Sequence, residues 1–158
     1  MKKHFIKFTL LLLSIICISC SKNDDTKVTP VTDPANIVAG EFINLKCNNV
    51  QYNFINPEIL NSGAKTLNAF TTNEKRISIF LPLTVTAGTY SITDSSNPNA
   101  YALSLAINLI NLDAYATAGS ITVTSVTSNN VKGTFNCSFP SSGGQNFIVT
   151  EGSFNVGN

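Results

Sequence analysis

Residues 101–109 read Tyr-Ala-Leu-Ser-Leu-Ala-Ile-Asn-Leu, with a large apolar side chain at every second position. A period of two places these side chains on one face of a pleated strand, whereas a helix would spread them around its axis. Residues 77–85 repeat the pattern as Ile-Ser-Ile-Phe-Leu-Pro-Leu-Thr-Val. We therefore expect this part of the chain to form half-buried β-strands.

The same alternation extends in both directions from this stretch, in segments rich in Thr, Val and Ile, which favour strands. Short turn segments such as Asn48-Asn49, Asn61-Ser62-Gly63 and residues 141–144 separate them. Connections of this length are too short for parallel crossovers, so adjacent strands are expected to be antiparallel. The predicted strands are 41–47, 50–55, 66–71, 76–82, 88–93, 100–109, 119–127, 130–139 and 146–156.

The predicted fold class is all-β: an antiparallel meander that forms a β-sandwich or flattened barrel of about nine short strands. The domain is expected to cover residues 37–158. Pro82, near the end of its predicted strand, indicates a sheet edge or a bulge, because proline cannot donate to a strand ladder. Only residues 57–60 and 111–118 are suited to a helical turn.

The composition excludes some classes of partner. The 158 residues contain ten Lys and Arg against nine Asp and Glu, a formal charge of +1. This balance provides no basic field for phosphates, so no nucleic-acid partner is expected. Charged residues make up 12% of the chain, against about a quarter in a typical soluble domain. Asn, Thr and Ser supply the polarity instead, as is typical of extracytoplasmic β-proteins.

The N-terminal residues have the pattern of an export signal. Lys2 and Lys3 precede an apolar run of eleven residues, Phe8–Ile18, and the small Ser19 follows. The run is too short to cross a bilayer core of roughly 30 Å comfortably. Residues 1–19 are therefore predicted to be a signal peptide.

The segment Cys17-Ile18-Ser19-Cys20 resembles a bacterial lipobox, in which the final Cys becomes the lipidated first residue of the mature protein. The lipobox pattern usually has Leu, Val or Ile where Cys17 stands, and cysteine is apolar enough for that position. The resemblance implies acylation of Cys20, with palmitate among the chains, and a membrane partner reached through this anchor.

Residues 20–36 are predicted to be the lipidated cysteine and a disordered tether, because charges and prolines occur there without an apolar period. The run Cys20-Ser-Lys-Asn-Asp-Asp25 is similar to the start of many Bacteroidota lipoproteins. In that group a lysine and an acidic pair are associated with transfer to the outer leaflet. The similarity implies a bacterial outer membrane lipoprotein exposed at the cell surface. The alternative is that the charges only solvate the tether of a periplasm-facing anchor.

The body of the chain also carries a resemblance, in the segments 81–82, 88–92, 119–124, 131–135 and 151–156. Their order is similar to that of the small all-β lipoproteins of Bacteroidota that carry a domain of unknown function. The resemblance implies fold and cellular location, and it brings no catalytic residues with it.

Two cysteines, Cys47 and Cys137, remain in the mature chain once Cys20 is acylated. In an oxidising compartment this parity predicts one disulfide between them. Strand alternation directs both sulfurs toward the core. The alternative is two buried free thiols that act as small hydrophobic side chains.

Catalytic machinery based on histidine is excluded, because the single histidine, His4, lies in the signal. No catalytic residue, metal site or cofactor is predicted. Residues 94–99 offer oxygen ligands for Ca²⁺, but an Asx/Pro turn is the preferred interpretation. The four tyrosines allow a sugar-stacking platform, although Tyr90 and Tyr101 fit the core better. The carboxylates of the folded region flank turns and strand ends: Glu41, Glu58, Glu74, Asp94, Asp113 and Glu151.

The expected function is that of a non-enzymatic, lipid-anchored cell-envelope β-domain with a binding or structural role. Its expected partner is a polysaccharide, a peptide or a partner lipoprotein. One alternative is a glycosidase-like envelope hydrolase that uses a pair of the carboxylates. Another is a lipocalin-like carrier, which requires an open barrel with an apolar lumen.

Overall fold

The computed structural model describes residues 40–71, 74–93, 97 and 100–157. The predicted signal peptide (1–19) and tether (20–36), and with them Cys20, lie outside the described residues. The described part contains ten strands and one short 3-10 turn, Asn108–Ile110. The strands are β1 Phe42–Cys47, β2 Val50–Asn61, β3 Lys65–Thr71, β4 Lys75–Leu81, β5 Gly88–Ser91, β6 Ala102–Ile107, β7 Leu112–Tyr115, β8 Ala118–Val126, β9 Asn130–Ser142 and β10 Gln145–Gly157.

The ten strands form one antiparallel sheet that curls into a half-barrel, in the order β5-β8-β9-β10-β1-β2-β3-β4-β6-β7. The predicted all-β antiparallel fold is confirmed. Most strands pair with their neighbours in the chain. The exceptions are the pairs β10–β1, β4–β6 and β5–β8.

Strand β2 bends near the middle of the sheet and belongs to both of its halves. Residues 50–54 pair with β1, and residues 55–61 pair with β3 after a register shift between Ile55 and Glu58. Asn56 adopts a left-handed conformation (φ 47°) inside this shift, and Pro57, which has no N–H to donate, follows it. The bend separates a first half-sheet (β5, β8, β9, β10, β1 and residues 50–54) from a second half-sheet (residues 55–61, β3, β4, β6 and β7). Residues 57–60 are strand, so the helical turn suggested for them is wrong.

Two hairpin turns have the chemistry that their sequences indicated. Asn48 and Asn49 join β1 to β2 with φ values of 48° and 66°. Gly143 and Gly144 join β9 to β10 with φ values of 59° and 81°. Two consecutive left-handed residues match the right-handed twist of the flanking strands, and Asn and Gly tolerate that conformation best.

The core lies between the inward faces of the two half-sheets. Ile43 and Val131 from the first half-sheet and Ile77 and Leu105 from the second are all 0% exposed and belong to the same apolar cluster. Side chains from nearly every strand therefore pack into one continuous interior.

Three further local expectations are wrong. Residues 112–115 form β7 rather than a helical turn. The alternation of β6 stops before Leu109, which lies in the 3-10 turn with 85% of its side chain exposed. Pro82 follows the end of β4, which pairs with β3 and β6 on its two sides. Pro82 therefore marks the end of a central strand and not a sheet edge or bulge.

Candidate binding groove

A groove crosses the outward face of the second half-sheet. Its central row contains Asn68, Ser78, Ser104 and Tyr115, which are partners in register on β3, β4, β6 and β7. The groove has a volume of about 370 Å³ and is open to solvent along its length. These outward side chains alternate with core residues, so each is held by a strand whose other face is buried.

Aromatic rings form part of the wall. Phe70 and Tyr115 are about half exposed, at 48% and 50%. The Phe80 and Tyr115 rings lie 6.0 Å apart between centroids, tilted by 36°. They meet across β6 because the outward residues of that strand, such as Ala102 and Ser104, are small. Three exposed or half-buried rings on one solvent-facing surface make it a candidate interaction site.

An ion pair closes the groove on the other side of the central row. Arg76 on β4 and Asp113 on β7 are both in register with Ala106 of β6. The Arg76 Nη2 atom lies 3.6 Å from Asp113 Oδ1, above this small residue. The pair is exposed, so it contributes little to stability, but it places opposite charges side by side at the groove.

A second cavity of about 270 Å³ adjoins the first, and both are lined by Phe70 and Arg76. Here Asn108 Nδ2 donates a hydrogen bond to Glu74 Oε2. The Thr71 Oγ1 atom is buried and, among the described residues, has no hydrogen-bond partner. The groove thus extends from the ring pair to a polar end formed by Glu74 and Asn108.

The tyrosines do not form one platform. Tyr52 is buried, with the Lys75 Nζ atom 5.6 Å from its ring centroid. Tyr90 and Tyr101 stack on each other with centroids 3.9 Å apart and pack against the core. Only Tyr115 lines the groove, and its ring partner is Phe80. The expectation that Tyr90 and Tyr101 belong with the core is confirmed.

The environment of the stacked tyrosines shifts their acidity in opposite directions. The Tyr90 hydroxyl donates to the Thr86 carbonyl at 3.0 Å, and the Thr86 hydroxyl lies 3.1 Å from it. The Thr86 hydroxyl lowers the pKa of Tyr90, because a hydrogen bond to the phenolic oxygen favours its ionised form. Burial raises the pKa of Tyr101 to about 12. The Tyr90 hydroxyl is therefore tied to Thr86, just before β5, while the ring stack holds β5 against the segment that enters β6.

Phe70 and Phe80 were not among the residues that the sequence singled out. Both occupy outward positions of alternating strands, Phe70 after Ala69 and Phe80 between Ile79 and Leu81. A large aromatic residue on the solvent side of a predicted strand was the available signal. Their meeting with Tyr115 depends on the pairing of β4 with β6 and β7, which the local pattern does not contain.

The described carboxylates are spread over the surface, except for the pair Glu74 and Asp113. Glu151 forms an ion pair with Lys46 at 2.6 Å on the first half-sheet. Glu58 is in register with Asn68 at the margin of the groove but does not line it. Only Glu74 and Asp113 line the same cavity. Glu41 lies just before β1, and Asp94 lies outside the described residues.

The predicted disulfide is not present in the structure: Cys47 and Cys137 are both free and buried. Cys47 is in register with Val149, and Val149 is in register with Cys137. One whole strand, β10, therefore separates them. Two strand spacings of about 4.8 Å each exceed the Cα separation of about 7 Å that a disulfide allows. Strand parity identified the shared inward face correctly, but it does not determine how many strands separate the two cysteines across the sheet.

Burial controls the chemistry of both thiols. It raises the pKa of Cys47 to about 11 and, with the neighbouring Cys47 as a smaller cause, that of Cys137 to about 12. A thiol is nucleophilic only as its thiolate. These two side chains therefore behave as small apolar residues at neutral pH, in agreement with the alternative given for them.

Comparisons of the chain with protein-family models, with curated proteins and with solved structures found no match. Within the described ranges, no group of three His, Cys, Asp or Glu side chains is arranged to hold a metal ion. The described part of the chain also has no helix long and apolar enough to cross a membrane. Of residues 94–99, for which an Asx/Pro turn was preferred over a calcium site, only Asn97 is described.

Proposed function

We propose that this protein is a lipid-anchored β-domain of the bacterial outer membrane, exposed at the cell surface, that binds an envelope partner in its groove. The role is one of binding rather than catalysis. The partner is a polysaccharide, a peptide or another lipoprotein. The observation that carries the proposal is the groove itself: rings, hydroxyls and an ion pair held on the outward face of rigid strands.

The anchor rests on the N-terminal sequence. The charged start, the short apolar run and Ser19-Cys20 have the order of a lipoprotein signal, and the following polar segment suits a flexible tether. Such a tether lets a groove on the domain reach partners at a distance from the membrane. The similarity to small all-β lipoproteins of Bacteroidota supports the same location.

The anchor is tested by metabolic labelling with a fatty-acid probe. Cys20→Ala is expected to abolish labelling, because it removes the acylated sulfur. Cys17→Leu is the matched control: it introduces a residue typical of the lipobox and should leave labelling intact. Equal labelling of the Cys20→Ala and unaltered proteins would contradict the anchor.

The binding role is tested in living cells with a photo-crosslinking amino acid. At position 115 it replaces a half-exposed ring in the groove. At position 148 it replaces Ile148, which is equally exposed, at 54%, on the first half-sheet. We expect a crosslinked envelope component from position 115 and none from position 148. The same product from both positions, or no product from position 115, would reject the groove as the binding site.

A second candidate function is glycoside hydrolysis, which is favoured by one observation: Glu74 and Asp113 line the same cavity. Glycosidases use two carboxylates across a cleft, one as acid and one as base or nucleophile. In this groove Asp113 pairs with Arg76 and Glu74 accepts from Asn108, so both side chains have structural partners. Hydrolysis of oligosaccharides by the unaltered protein that is lost in both Glu74→Gln and Asp113→Asn would favour this candidate over binding.

A further inference from the structure

We infer that the groove binds a neutral oligosaccharide chain; the inference rests on the proposed binding function and specifies its partner. The central row supplies the first argument. Asn68, Ser104 and Tyr115 present an amide and two hydroxyls, in register with Ser78, whose side chain lies on the same face but is only 8% exposed. Each of these groups both donates and accepts hydrogen bonds, as sugar hydroxyls do.

The rings supply the second argument. Phe70 and Tyr115 are about half exposed beside this polar row. An exposed aromatic face next to hydrogen-bonding groups matches a sugar ring, whose C–H faces are apolar and whose rim carries hydroxyls. The contact between Phe80 and Tyr115 across β6 fixes the orientation of one ring. The site therefore has an apolar surface beside a polar one, and a sugar ring has the same arrangement.

Charge decides between neutral and acidic sugars. The cations that line the groove are Arg76 and Lys75, and the anions are Asp113 and Glu74. Arg76 is already paired with Asp113, so no free cationic cluster faces the ligand. Acidic polymers are recognised through an excess of positive charge, and that excess does not occur here. The balance favours a ligand without carboxylates or sulfates.

The length of the groove favours a chain over a single sugar. Successive outward residues along a strand are about 6.7 Å apart, and the groove covers the outward positions of β4 from Arg76 through Ser78 to Phe80. The second cavity extends it to Glu74 and Asn108.

An extended peptide fits this surface less well. Peptides that add to a sheet use the unpaired backbone of an edge strand. The groove lies over β3, β4 and β6, each of which is paired on both sides. These three strands offer a ligand only their side chains, and the edge strand β7 contributes to the groove through the side chains of Tyr115 and Asp113. Such a surface suits a molecule that is itself rich in hydroxyls.

The test uses the full chain in detergent and an array of neutral and uronic-acid-containing oligosaccharides, followed by calorimetry with the neutral sugars that bind. Tyr115→Ala and Phe70→Ala are each expected to weaken binding about tenfold, through loss of ring contact. Tyr115→Phe, which keeps the ring, should weaken it less. Ile148→Ala removes an exposed apolar side chain outside the groove and is the control that should bind as the unaltered protein does.

Binding confined to acidic oligosaccharides, or binding that Tyr115→Ala and Phe70→Ala leave unchanged, would overturn the inference. Absence of any sugar binding would overturn it as well. If the array is silent while the crosslinker at position 115 captures a peptide or protein, the groove function stands and the sugar assignment falls. If both the array and the crosslinker are silent, both proposals fail.

Discussion

At the scale of single residues, the arrangement of Cys47, Val149 and Cys137 in one row on three strands determines how the cysteines behave. We expect both thiols to resist alkylation in the native protein and both to react after denaturation without reductant. Peptide mass spectrometry identifies each site. If the two cysteines formed a disulfide, both would stay unmodified until reduction, and that result would contradict their placement on strands separated by β10.

The same thiols predict a dependence of stability on alkaline pH. Their folded-state pKa values, about 11 and 12, lie above the ordinary value of 9.0. Their contribution is fully present below pH 9 and is lost as the pH rises to about 11 for Cys47 and about 12 for Cys137, because only the unfolded chain ionises easily in this range. Each thiol should lower the free energy of unfolding by about 1.4 kcal/mol per pH unit in this window.

Urea unfolding between pH 8 and pH 11 measures this loss. The double variant Cys47→Ala/Cys137→Ala is the control, since it retains every tyrosine and loses only the thiol component. If the unaltered protein and the double variant lose stability in parallel, the shifted thiols are not responsible.

Gly152 tests the packing of β9 against β10. A Cβ atom at this position would lie 2.5 Å from the carbonyl oxygen of Phe135 and 2.5 Å from its ring atom Cδ2. Gly152→Ala should therefore destabilise the protein by about 1–3 kcal/mol through overpacking. Ser153→Ala, at the adjacent position, should change the free energy of unfolding little. Equal urea midpoints for the two variants would show that β9 and β10 accommodate the extra methyl group without loss of stability, and would contradict the prediction.

At the scale of elements, β6 shows where alternation is reliable and where it ends. Leu105 and Leu109 belong to the same alternating run, yet they are 0% and 85% exposed. Leu105→Ala should cost about 2–5 kcal/mol, because it opens a cavity in the core. Leu109→Ala should cost almost nothing. Thermal unfolding of the two variants, which carry the same substitution, measures the difference, and similar losses would place Leu109 in the core.

The nine predicted strands all occur in the structure because alternation and turn residues are local properties of the chain. The errors are local conflicts between signals. Pro57 suggested a break, but a left-handed Asn56 lets β2 continue through a bulge. Asn111, also left-handed, ends the 3-10 turn and starts β7, a strand of only four residues that is too short to show a period.

The candidate groove was less predictable than the strands. Tyr115 was considered as a sugar-stacking residue, but its companions were expected among the tyrosines. Its ring contact with Phe80 arises because β4 pairs with β6 and β6 pairs with β7. Residues 82–101 separate β4 from β6 and include β5, which joins the opposite end of the sheet. No pattern within a strand specifies such a long-range neighbour.

At the scale of the whole molecule, the two half-sheets share one apolar cluster. We therefore expect them to unfold in a single transition, since neither half retains a buried face without the other. Hydrogen exchange should give similar free energies of opening for the amides of β6 and β9. Leu105→Ala, although it lies in the second half-sheet, should lower protection in β9 by the same amount. Loss of protection in β6 alone would show two independent units.

The two outermost strands, β5 and β7, are only four residues long. An open sheet exposes unpaired N–H and C=O groups at its margins, and these can recruit a margin of another molecule. Copies fastened to one leaflet, as we propose, collide far more often than copies dispersed in a volume. Edge strands as short as these can form few backbone hydrogen bonds with a neighbouring copy. The fold is therefore suited to a crowded membrane surface without forming fibrils.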